Sequence, residues 1–241
     1  MEVHKHPHHV THKKKWGEYL LEFFMLFLAV FLGFMAENFR EHNVERSKER
    51  EYMHSIVADL REDTTIINGS IAYNGRISGS DSLLLLSLQS PSRDSFTVSQ
   101  IFKYFSKASN FWVEFNESKT FEQLKSTGDM RLIRSKPVLD SMSKYYQLVS
   151  SEKIFRDEIQ AQLQLTYNLA DKIFNVYAYE SNLGQPSNLI INDALLIKEY
   201  SNKLNHLIKS YREFMRHLRL LKTKAVNFMS AIIKEYHFKN E

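Results

Sequence analysis

Three groups of residues carry side chains that could do chemistry. His4, His6, His8, His9 and His12 crowd the first fifteen positions, and neutral imidazole is the commonest ligand for divalent metals. They lie in a stretch, MEVHKHPHHVTHKKK, whose only apolar residues are Met1, Val3 and Val10; with so little to bury, it is expected to be disordered. Nothing then fixes the imidazoles in a ligand geometry, and no metal site is assigned. Asp59, Glu62 and Asp63 fall on adjoining turns of a helical pattern and could hold a cation, although a solvated helix face is the simpler reading. Glu22 is a carboxylate inside an apolar run, where it could reach headgroups and water, face another helix, or titrate in a proton- or ion-coupled role.

The usual catalytic constellations are missing. The chain has no Gly-rich phosphate loop, no Gly-x-Ser-x-Gly elbow and no His-Glu-x-x-His pair, and His42, His54, His206, His217 and His237 show no tight pairing. The absence of cysteine excludes disulfides, thiolate nucleophiles and Cys-ligated zinc. No catalytic residue, cofactor or metal follows from these residues, and an unrecognised enzyme is the least supported class. Lys209, Arg212, Arg216, Arg219, Lys222 and Lys224 form a basic edge that could meet anionic headgroups or an acidic partner, with a solvated face again simpler. Four lysines and one glutamate in residues 1–17 account for most of the net charge of +4, so charge implies no nucleic-acid surface.

The element that positions Glu22 is Trp16 to Arg40, WGEYLLEFFMLFLAVFLGFMAENFR. Phe23 to Ala36 is free of charges and side-chain amides, and with its apolar flanks the run reaches about 20 residues, the length of one spanning helix. At 100° per residue, Glu18, Glu22, Met25, Ala29, Gly33, Ala36 and Arg40 share an arc of roughly 80°, away from most of the phenylalanines. Ala29 and Gly33 form a small-xxx-small pair, which lets helices approach closely. A helix–helix contact through this face is therefore expected. Lys13, Lys14 and Lys15 abut the run and favour a cytoplasmic N-terminus.

Seven glycines and four prolines in 241 residues are too few for a turn-dense β domain, and the apolar residues recur at helical spacing. The fold class is all-α: one N-terminal transmembrane helix continuing into an elongated antiparallel helical bundle. The expected parts are a tail (1–15), a membrane helix (16–40), a stalk (41–90) and a helical domain (91–241). Val44, Tyr52, Ile56, Leu60, Ile67 and Ile71 mark the stalk, with a break expected near Gly69–Ser80. A loop covers Ser90 to Ser95, and a short helix is suggested between Val98 and Ala108. Phe111, Trp112 and Phe115 then serve as core plugs or as an exposed contact patch, with the core favoured. Thr120 could cap a short helix that ends at Gly128.

Two long helices should follow and pack antiparallel, over about 137–183 and 193–237. The first carries Leu139, Met142, Tyr146, Val149, Ile154, Leu163, Tyr167, Ala170, Phe174 and Tyr177, and Gly184-Gln185-Pro186 stops it. The second starts from a cap at Asn192 or Asp193 and carries a stripe from Leu196 through Tyr200, Tyr211 and Phe228 to Ile232.

The string TFEQLKSTGDMRLI, followed by KPVLDSMSKYY, resembles an uncharacterised family of single-pass membrane proteins from Bacteroidota-type bacteria. Its matching positions are Glu22, then Leu124, Lys125, Ser126, Gly128, Leu132 and Ile133, then Tyr145 and Tyr146. The segment AENFREH at the membrane exit departs from the tryptophan-containing, asparagine-rich version common in that family. The resemblance implies an anchored helical domain outside the cytoplasm, and no activity or catalytic residue comes with it.

The expectation that follows is a membrane-anchored interaction or scaffold protein of the bacterial inner membrane, its N-terminus cytoplasmic and its bulk periplasmic. The lipid bilayer and either a second copy or another membrane protein are its expected partners. An accessory subunit of an envelope transport or ion-motive complex, with Glu22 as a titratable group, is the alternative.

Overall fold

The structure is a computed structural model that describes residues 15–90, 95–113, 118–181 and 190–238. The tail histidines, Phe115 and the Gly184-Gln185-Pro186 stop lie outside the described residues. The chain is all-α. Its helices are α1 (Trp16–Leu88), α2 (Ser95–Phe105), α3 (Lys119–Thr127), α4 (Lys136–Ile173), α5 (Val176–Glu180) and α6 (Ala194–Tyr236), with a 3-10 turn at Asp129–Leu132. Among the described residues the only sheet-like feature is an isolated antiparallel bridge between Phe174 and Ile190.

The chain divides into two units, Met1–Arg50 and Glu51–Glu241. In the first, every large hydrophobic side chain from Trp16 to Phe39 is exposed. Phe23, Phe27 and Phe31 form a ladder along one side of the helix, with neighbouring ring centroids 6.4 and 6.0 Å apart. One helix of the described residues is long and apolar enough to cross a membrane, with a mean hydropathy of 2.2 in its best window and none of that window buried.

The second unit begins at Glu51 and takes in most of the stretch expected as a stalk. The reason is a stripe on α1 that buries Met53, Ile56, Leu60, Asp63, Ile67, Ser70, Asn74, Ile77, Asp81, Leu84 and Leu88. These residues recur in strict alternation of three and four, which keeps one seam of a helix against its neighbours. The expected break near Gly69–Ser80 does not occur, and α1 stays helical to Leu88. Polar members hold the stripe where apolar ones stop, and glycine allows close approach: a Cβ on Gly75 would sit 3.7 Å from the sulfur of Met215.

Helices α4 and α6 pack antiparallel. Tyr146 meets Phe228, Phe155 meets Phe214 and Phe174 meets Tyr200, with ring centroids 6.5, 6.2 and 5.5 Å apart. On α6 the stripe Tyr200, Leu204, Leu207, Tyr211, Phe214, Leu218, Leu221, Ala225, Phe228 and Ile232 is wholly buried. Each large side chain so buried stabilises the fold by roughly 1.5–3 kcal/mol. Asp193 caps this helix by accepting from the backbone N–H groups of Leu195 and Leu196. Helix α4 departs from its expected pattern: Ile154 and Tyr177 are exposed, while Glu152 is buried and accepts from Arg156 at 2.5 Å. It also ends at Ile173, about ten residues early. Phe174 turns extended and carries its ring against Phe105, with centroids 4.4 Å apart, and Asn175 caps α5 through the N–H of Ala178.

Candidate functional site

The connection from α2 to α4 runs back along α1 and is fastened by polar side chains of that helix. Asp81 Oδ1 accepts from the backbone N–H of Ser109 at 2.9 Å and from its hydroxyl at 3.2 Å. Asn74 donates to the carbonyl oxygen of Trp112 at 2.8 Å. Further along, Asp59 accepts from the Ser118 hydroxyl at 2.7 Å, and Tyr52 donates to Asp129 at 2.7 Å. The contact points descend α1 as the connection ascends in number, so the segment lies antiparallel to the helix. Outside any helix, the Ser109 N–H and the Trp112 carbonyl take their partners from α1 side chains.

Behind this seam lies a buried polar cluster. Asp81 and Tyr200 are fully buried, and among the described residues neither Asp81 Oδ2 nor the Tyr200 hydroxyl has a hydrogen-bond partner. Burial pushes the Asp81 carboxyl up to about 7, against the two Ser109 bonds, which favour its ionised form. Burial likewise raises the hydroxyls of Tyr200 and Tyr211, helped by the neighbouring Asp81. Tyr167 donates to the carbonyl of Ser109, and Tyr211 donates to that of Asn110 at 2.5 Å. Two consecutive carbonyls of the connection are thus held by tyrosines from α4 and α6.

A second seam joins α1 to the start of α4. Tyr145 donates to Asp63 Oδ2 at 2.5 Å, and Tyr146 stacks on Phe121 with centroids 3.7 Å apart. Burial, with the charges of Asp59 and Glu62 adding, pushes the Asp63 carboxyl up to about 6 although the Tyr145 bond lowers it. The solvated face expected for the carboxylates therefore holds only for Glu62, since Asp63 is buried and Asp59 half-buried. Among the described residues no cluster of three or more His, Asp or Glu side chains could hold a metal ion.

Apart from Glu22, the residues of the family-like motif lie on α3, the turn that follows it and the start of α4. Leu124, Leu132 and Ile133 are buried; Lys125 pairs with Glu122 at 3.0 Å, and Ser126 bonds the carbonyl of Gln123 at 3.0 Å. Gly128 ends α3 at φ 74°, in the left-handed region that glycine enters without a Cβ penalty. Ser118, not Thr120, caps α3, accepting from the N–H of Phe121 at 3.2 Å. Phe111 packs against Phe214 with centroids 5.3 Å apart, whereas Trp112 is 40% exposed. In the first unit Glu18, Glu22, Met25, Ala29, Gly33 and Ala36 are all exposed. On the basic edge of α6, Arg216 is taken up by Glu213.

Between residues 73–83 of α1 and residues 105–110 lies a cleft of about 940 Å³, with Tyr167 on its far wall. Sequence reasoning missed both this cleft and Asp81. The signal was present: Ser70, Asn74 and Asp81 continue the three-four stripe of α1 after its apolar members thin out. Comparison with protein-family models, with curated proteins and with solved structures finds no match to this chain.

Proposed function

We propose that this chain is a membrane-anchored helical interaction or scaffold protein of the bacterial envelope, held by one spanning helix within Trp16–Arg40. The carrying observation is the continuous exposed apolar surface from Trp16 to Phe39. In water that surface would stand unfavourably uncovered, at about 25 cal/mol per Å²; a bilayer core is its natural solvent. Self-association is assigned to the face with Glu18, Glu22, Met25, Ala29, Gly33 and Ala36. A Cβ built on Gly33 meets nothing within 4 Å, so a second helix could close to backbone distance there, and a carboxylate turned toward a helix is spared the lipid. Lys13–Lys15 and the family resemblance support a cytoplasmic N-terminus and a periplasmic bulk.

The chain has no cysteine, so single cysteines introduced along the helix are its only thiols. Oxidative cross-linking in native membranes should give dimers from Ala29→Cys and Gly33→Cys and not from Phe27→Cys and Phe31→Cys. Equal cross-linking on both faces, or none on either, refutes self-association. Cross-links from the first pair to a different membrane protein would instead support the accessory-subunit alternative.

A further inference from the structure

The cleft between α1 and residues 105–110 has the size of a small-molecule site, about 940 Å³, within the range of about 300–1,000 Å³ such sites occupy. Its walls carry the rings of Tyr73, Phe105 and Tyr167. Its charged lining residues are Arg76 and Lys107, and among the described residues no carboxylate lines it. Neither cation is in an ion pair among the described residues, and the Arg76 guanidinium stands over the Tyr73 ring, 5.8 Å from its centroid. Tyr167 and Leu83 remain 42% and 45% exposed, apolar surface that a flat ligand would cover.

The walls are held in place from behind. Tyr167 donates to the Ser109 carbonyl, and Ser109 is fastened to the buried Asp81. A cavity with fixed aromatic walls and two unneutralised cations is complementary to an apolar ring bearing a negative charge. We propose that this cleft binds a small aromatic carboxylate, its ring against Tyr73 and Tyr167 and its charge met by Arg76 and Lys107. The site belongs wholly to the second unit and is independent of how the chain is anchored.

The test is calorimetric titration of the full chain, in a neutral maltoside detergent, with 2-naphthoate and with the uncharged 2-naphthylmethanol. Saturable one-to-one binding of the naphthoate is expected, with the alcohol at least about tenfold weaker, the scale of a lost charge-assisted hydrogen bond. The double variant Arg76→Gln/Lys107→Gln should weaken naphthoate by a similar factor. Gly79→Leu should abolish binding, because a Cβ at Gly79 enters open space on the cleft wall. All three positions are exposed, and leucine in place of a mid-helix glycine favours the helix, so the variants should keep the native circular dichroism and melting. No saturable binding by the native chain, equal binding of acid and alcohol, or unchanged binding in the double variant or in Gly79→Leu would overturn the assignment.

Discussion

Replacing Asp81 with asparagine should remove the pH dependence that this one buried carboxyl imposes on the bundle. Asp81 ionises near its ordinary 3.8 in the unfolded chain and near about 7 in the folded one, because burial outweighs the Ser109 bonds. Between those values the folded state binds one more proton than the unfolded state, so stability falls as pH rises. The contribution is fully present below 3.8 and is lost as pH rises to about 7. The slope is about 1.4 kcal/mol per pH unit, and the whole window is worth about 4 kcal/mol. Asparagine keeps an oxygen for the Ser109 donors and never ionises. Native and variant chains should therefore be of similar stability near the acid end, and the variant should be the more stable by several kcal/mol at about pH 8. The assay is denaturant unfolding of both chains in neutral detergent across that range, followed by circular dichroism. Differences between the two cancel Asp63 and every other titrating group. A difference that stays constant with pH would refute the reasoning, as would one of the opposite slope.

Tyr145→Phe removes the donor to Asp63 Oδ2 and leaves a buried carboxyl short of a partner; a loss of about 1–3 kcal/mol is expected from unfolding curves. Because the Tyr145 bond lowers the Asp63 value, that loss should grow as pH rises through about 6. Gly128→Ala places a side chain at φ 74° and should destabilise by about 1 kcal/mol or somewhat more, although a Cβ there meets no atom.

The two long helices of the bundle were readable from their periodicity. The α6 stripe from Tyr200 to Ile232 and the cap at Asp193 stand where the spacing put them, because apolar residues alone define that seam. On α1 the same spacing continues through Ser70, Asn74 and Asp81, and there the pattern was followed only as far as Ile71. Glycine and polar residues ordinarily weaken a helix; here they receive a returning segment, a tertiary partner that local preference does not contain. Ile154 and Glu152 traded places on α4 for a related reason, since the Arg156 guanidinium satisfies the buried carboxylate. The early end of α4 depends on the aromatic contacts of Phe174 with α2 and α6, which join residues far apart in the chain. Tyr145 and Tyr146 stood out as a pair in the sequence, and their role as fasteners to Asp63 and Phe121 needed three dimensions. The cleft is formed by α1, the 105–110 segment and α4, and no single stretch carries its outline.

Alkaline carbonate extraction of membranes holding the full chain tests whether the exposed apolar helix lies in a bilayer. The expected result is that the native chain stays with the membrane pellet, while a variant carrying Leu26→Arg, Val30→Arg and Phe34→Arg is released. Release of the native chain into the supernatant would contradict that placement.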